Sequence, residues 1–96
     1  MRLLSLDYNI TDELKQKLLK LSKKDITLKK AILKKITQII NSDNETILHY
    51  KFLRYDSKER QRVHIMKHFV LIFKYYKNKK FILFIDFDHH NKIYKN

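Results

Sequence analysis

Arg60, Arg62 and His64 fall on alternate positions of the segment from Arg60 to Met66, and the histidine pair His89–His90 is followed by Tyr94. Alternate side chains on a strand point the same way, about 7 Å apart. A guanidinium there can grip a phosphate through two bonds. An imidazole there can take or give a proton near neutral pH. Cations, imidazoles and a phenol within reach of one patch are the groups needed to hold a phosphate chain and move protons along it. The competing reading of Arg62 and His64 is a solvated polar sheet face, with Asp86 and Asp88 as their ion-pair partners. The His89–His90 pair makes a poor metal site, because neighbours on a strand point in opposite directions and no cysteine assists. Tyr94 alone also fits an aromatic anchor for a tail.

Composition narrows the partners. The 96 residues suit one domain with a modest core. Lys and Arg number 22 against 10 Asp and Glu, a formal charge of +12, which favours a polyanion, nucleic acid first and a membrane surface second. Most of these cations are lysine, the residue of solvated faces. The chain has no apolar run long enough to span a bilayer and no secretory pattern at its start, so no membrane role is expected. With no cysteine it can form neither disulfides nor thiolate metal sites, and a cytoplasmic location is expected. It also has no glycine, which rules out a glycine-rich phosphate loop.

The elements that must position the reactive groups are read from apolar spacing. Leu3 to Tyr8 alternates weakly and predicts a first strand. Thr11 offers a helix cap, with Asp12 and Glu13 in the first turn where the helix dipole favours them. Leu14, Leu18 and Leu21 recur at helical spacing, with Leu19 widening the stripe. Asp25 or Thr27 starts a second helix striped by Leu28, Ile32, Ile36 and Ile39, and Asn41–Asn44 ends it. A connection of about four residues makes the two a helical hairpin. Ile47 to Lys58 has a poor period and reads as a connection anchored by Leu53.

Three strands follow, Arg60–Met66, Phe69–Tyr76 and Phe81–Phe87. A loop at 77–79, with Asn78 left-handed, pairs Phe73 with Leu83, Leu71 with Ile85 and Phe69 with Phe87. A tight turn at Lys67 pairs Leu71 with Val63 and Phe69 with Ile65. All of these positions are apolar and face the helices. The other face carries Arg60, Arg62, His64, Val70, Ile72, Lys74, Ile82, Phe84, Asp86 and Asp88. Phe84, Tyr75 and Tyr76 are the rings left to stack on bases. The expected fold is α+β, a two-helix hairpin on one face of an antiparallel sheet in the order β-α-α-β-β-β, one domain over residues 1–96.

That order resembles the RelE/ParE toxin superfamily, and local segments do too. Phe52-Leu53-Arg54 is similar to the family's Lys-Leu-Arg/Lys stretch, and Gln61-Arg62-Val63-His64-Ile65 to its basic strand. Phe69-Val70-Leu71-Ile72-Phe73 resembles its Tyr-Arg-Leu/Val-Val-Tyr strand, and His89-His90-Asn91-Lys92-Ile93-Tyr94 its closing His-Arg-x-x-Val-Tyr. The resemblance spans nearly the whole chain.

It implies the toxin of a toxin–antitoxin pair. The RelE branch cuts messenger RNA in the ribosomal decoding site, without metal or cofactor, using the substrate's 2′-hydroxyl and leaving a cyclic phosphate. Carried across, Arg62 and His64 fall on the family's basic strand positions, His89 on its histidine and Tyr94 on its C-terminal tyrosine. His90 stands where an arginine is usual and His64 where lysine is frequent. The family's transition-state arginine aligns with Val70, so Arg60, Arg62 or Lys67 would have to substitute. On this reading Arg62, His64, His90 and Tyr94 are catalytic, and Arg60, Lys67, His89 and Arg54 bind RNA. The implied partners are the ribosome with its mRNA and a small acidic RelB-like antitoxin that wraps the toxin in a hetero-oligomer. The alternatives are a gyrase-poisoning ParE-like toxin and an RNA-binding module without chemistry.

Overall fold

Side-chain caps set the helices. Thr11 lies in extended backbone and its Oγ1 accepts the Leu14 amide at 3.2 Å, opening α1 over Asp12–Lys24. Asp25 Oδ1 accepts the Leu28 amide at 3.1 Å, opening α2 over Ile26–Ile40. The computed structural model describes residues 6–53, 56 and 58–93. In it Asp25 alone separates the two helices, where about four residues were expected. Its amide closes α1 on the Leu21 carbonyl while its carboxylate opens α2, so one residue serves both ends.

Leu14, Leu18, Leu28, Ile32, Ile36 and Ile39 are buried together, as their spacing predicts. Leu19 does not widen the stripe and is 62% exposed, because it sits about 100° around the helix from Leu18. A short α3, Asn44–Leu48, follows the Asp43 cap, and its Ile47 is fully buried. Ile47 therefore anchors the connection, and Leu53 is only half-buried. Gln61 is buried beside it. Its Nε2 donates to the carbonyls of Ile47 at 2.8 Å and Tyr50 at 3.1 Å, tying the sheet to this turn.

Strands β1 (Asp7–Ile10), β2 (Gln61–Ile65), β3 (Phe69–Tyr76) and β4 (Phe81–His89) form one sheet in the order β1-β4-β3-β2, and α4 (His90–Ile93) closes the described chain. The α+β class and the β-α-α-β-β-β order stand. The meander is antiparallel, but β1 runs parallel to β4, so the sheet is mixed at that edge. β1 also lies later than expected. Residues 3–5 fall outside the described residues, and the strand runs from Asp7 directly into the Thr11 cap.

The β2–β3 register is as predicted, with Val63 opposite Leu71 and Ile65 opposite Phe69. The β3–β4 register is not. Phe73 pairs with Phe84, Leu71 with Phe87 and Phe69 with His89. Two features cause the change. The turn uses four residues, 77–80, and Lys80 takes the left-handed conformation (φ 50°) expected of Asn78. Ile85 is then an extra, bulged residue between the Phe73–Phe84 and Ile72–Asp86 pairs. Ile82 and Phe84 consequently enter the core in place of Leu83 and Ile85, while Phe87 faces the core as expected.

Thr11 stabilises the bulge. Its hydroxyl donates to the Ile85 carbonyl at 2.5 Å, and its amide donates to the Phe84 carbonyl at 3.0 Å. With no glycine in the chain, Glu59, Met66 and Lys80 all carry positive φ with a Cβ in place. That conformation costs a Cβ-bearing residue about 1 kcal/mol. Lys80→Gly should relieve it at an exposed site and raise stability by up to about 1 kcal/mol, read as a higher midpoint in urea unfolding at unchanged slope.

Candidate active site on the sheet face away from the helices

Strand alternation places Arg62 and His64 on the face of β2 turned away from the helices, opposite Gln61 and Ile65, which are buried. His64 pairs with Val70, which pairs with Asp88, and Arg62 pairs with Ile72, which pairs with Asp86. Two arms of polar side chains thus border the apolar middle of β3. That middle is not open surface: Val70 and Ile72 are buried, though they lie outside the core under the helices.

α4 brings the second imidazole. His90 leaves the end of β4 and its ring stacks on His64, with centroids 5.4 Å apart and planes 22° apart. His64 and His90, singled out separately in the sequence, thus meet, and Arg62 lies two residues along the same strand face. His89 turns the other way. Its ring meets the edge of Phe69 at 5.5 Å and lies parallel to His68, with centroids 5.7 Å apart and planes 2° apart. Sequence reasoning missed His68. Under the expected register Phe69 faced Phe87, whereas the observed Phe69–His89 pairing sets residue 68 at the end of β4. Lys67 is exposed in the same turn. Tyr94 and Arg54 lie outside the described residues.

Arg60, Asp86 and Asp88 are held in ion pairs. Arg60 forms a two-bond contact with Asp56, Nε to Oδ2 at 3.2 Å and the second nitrogen to Oδ1 at 3.1 Å. Those bonds, with the Arg60 amide, hold the Asp56 carboxyl below its usual range. Asp86 and Asp88 bind Lys17 of α1, at 2.8 and 3.3 Å, and Lys17 also donates to the Phe87 carbonyl at 2.8 Å. β1 pairs only with Phe81–Phe84, so Lys17 fills the strand edge beyond the bulge. Burial alone would push the Asp88 carboxyl up. The His89 amide, Lys17 and Lys92 together outweigh that and hold it down. Both lowered carboxylates stabilise the fold above the ordinary carboxylate range, and this contribution is lost as pH falls through their lowered values.

Of the expected stacking rings, Phe84 is fully buried. The Tyr75 hydroxyl donates to Asn44 Oδ1 at 2.7 Å, and burial pushes its pKa up. Tyr76 is covered by Lys74 and Lys79, 5.3 and 6.0 Å from its centroid.

A basic domain with two helices on one face of a small sheet, and arginine and imidazole on the other, has the architecture of a RelE-like toxin. The chain is 45% identical over 89 residues to a Methanocaldococcus jannaschii protein named "Putative toxin RelE4", covering 93% of this chain and 90% of that one. It is also 38% identical over 85 residues to an uncharacterized protein of Methanosarcina mazei, covering 88% and 94% respectively. The chain belongs to the RelE toxin family. No family model matches it. No solved structure matches it. No helix among the described residues is long and apolar enough to cross a membrane.

Proposed function

We propose that this protein is the toxin of a toxin–antitoxin pair and cleaves messenger RNA on the ribosome, without metal, by activating the substrate's own 2′-hydroxyl. The observation that carries this reading is the stacked His64–His90 pair on the same sheet face as Arg62. One imidazole, neutral, takes the proton of the 2′-hydroxyl as that oxygen attacks the adjacent phosphorus. The other, protonated, returns a proton to the departing 5′-oxygen, and a 2′,3′-cyclic phosphate remains. Arg62 neutralises the phosphate as charge builds in the transition state. Tyr94 stacks on a base or steadies the hydroxyl, and Lys67, His89, Arg54 and Arg60 contact the RNA backbone. Arg60 has to share its guanidinium with Asp56 to do so.

Val70 favours a second reading. It stands where the family resemblance places an arginine and is fully buried, so β3 offers no cation there. A gyrase-poisoning toxin needs none. Purified protein added to programmed ribosomes, with mRNA ends mapped, separates the two. New ends bearing cyclic phosphate support the nuclease, and intact mRNA with trapped gyrase–DNA complexes supports the alternative.

The partner follows from charge. A chain of net charge +12 fits a small acidic antitoxin that covers the basic face in a hetero-oligomer. Its association rate should fall steeply as salt rises. A rate unchanged between low and moderate salt, measured by stopped flow, would rule out charge-steered capture.

A further inference from the structure

We propose that the two stacked histidine pairs, His64–His90 and His68–His89, form a protonation-sensitive clasp that holds α4 on the end of the sheet, with His68 and His89 as positioning residues for His90.

The clasp grips the strand end from both sides. His89 and His90 are consecutive and point oppositely, one to His68 and one to His64. The backbone joins in: the His90 amide donates to the His68 carbonyl at 2.6 Å, and the Asn91 amide meets His89 Nδ1 at 3.3 Å. α4 itself has four residues and none is buried. A helix of that length has no stability of its own, so its place depends on what it touches.

Protonation changes the sign of those contacts. A neutral pair stacks, and a singly protonated pair sets an imidazolium against a neutral ring, which is still favourable. A doubly protonated pair sets two like charges less than 6 Å apart. The surrounding charges add to that repulsion. Arg62 lies two residues from His64 on β2, Lys67 precedes His68 in the turn, and Lys92 follows His90 on α4. Among the described residues the anion at the strand end, Asp88, accepts the His89 amide at 2.7 Å and is already bound to Lys17 of α1. α4 therefore stays docked while each pair holds at most one proton and lifts when the second arrives. Lifting separates His90 from His64. The consequence for catalysis rests on the nuclease reading above, but the clasp itself does not.

Nuclear magnetic resonance of the full chain tests the two separately. The four imidazoles and the amides of Asn91, Lys92 and Ile93 are followed between about pH 8 and pH 5. The α4 amides are expected to move to coil values as the pH falls, while the Leu71 amide stays in place. His68→Phe keeps the ring and removes the charge, so the release of α4 should move down by roughly one pH unit. His68→Ala removes the stack, so exchange at the His90 amide should quicken roughly tenfold even at pH 8. Amides of α4 that stay docked throughout the pH range, or unchanged His90 exchange in His68→Ala, overturns the clasp. Cleavage measured alongside keeps the readings apart. Release of α4 at low pH without cleavage leaves the clasp and removes the nuclease, and cleavage with α4 amides indifferent to pH does the reverse.

Discussion

Arg62→Ala should slow single-turnover cleavage on programmed ribosomes about a hundredfold or more, a loss of roughly 3 kcal/mol in transition-state stabilisation. The fold should survive, because Arg62 is half-buried on the face away from the helices and supplies none of the core. Thermal unfolding of the variant is the control. Arg62→Lys keeps the charge and loses the two-bond grip, so it should fall between wild type and alanine. His64→Ala and His90→Ala should each cost less than Arg62→Ala, since one imidazole of the pair remains. With one imidazole as base and the other as acid, the wild-type rate should pass through a maximum with pH, falling on one side as the pair gains a second proton and on the other as it loses its last. Full activity in Arg62→Ala would refute this site.

The second large effect is on stability. Phe84 is completely buried, 6.0 Å from the Phe73 ring and 6.1 Å from that of Tyr8. Phe84→Ala should cost about 3–5 kcal/mol, since it removes the ring and leaves a cavity. Leu83→Ala, one residue away on a half-buried site of the opposite face, should cost roughly 1 kcal/mol. Denaturant unfolding of both variants tests the register directly. Equal losses would mean that β4 is not seated as described.

That contrast also marks where sequence reasoning stopped. The helices were legible because each carried two independent signals, a capping oxygen on Thr11 or Asp25 and an apolar stripe whose Leu14, Leu18, Leu28, Ile32, Ile36 and Ile39 are all buried. The β2–β3 register was legible because a tight turn leaves little freedom between Ile65 and Phe69. β4 was not, because Ile82, Leu83, Phe84 and Ile85 are all apolar and no alternation distinguishes inside from outside. What decides it is a bulge held by Thr11, 74 residues earlier in the chain. The site followed the same pattern. Arg62 and His64 could be read from a clean alternation and His90 from the histidine pair after β4, while the family resemblance implied their roles. The aspartates were assigned to the wrong cation, because Lys17 on a helix gives no sequence sign of reaching around a strand edge. His68 was hidden by the same register error.

The bulge at Ile85 can be viewed as a change of reading frame within a strand. Before it, even-numbered residues of β4 face inward; after it, odd-numbered ones do. Without the shift, a strand that seats Phe84 inward would carry Phe87 and His89 outward and turn Asp86 and Asp88 into the core. The chemistry at the end of β4 is thus set by punctuation several residues upstream, and the mark itself is one threonine, its hydroxyl on the Ile85 carbonyl and its amide on that of Phe84. The same hydroxyl oxygen opens α1, so the orientation of His89 and His90 is fixed at the point where the first helix begins.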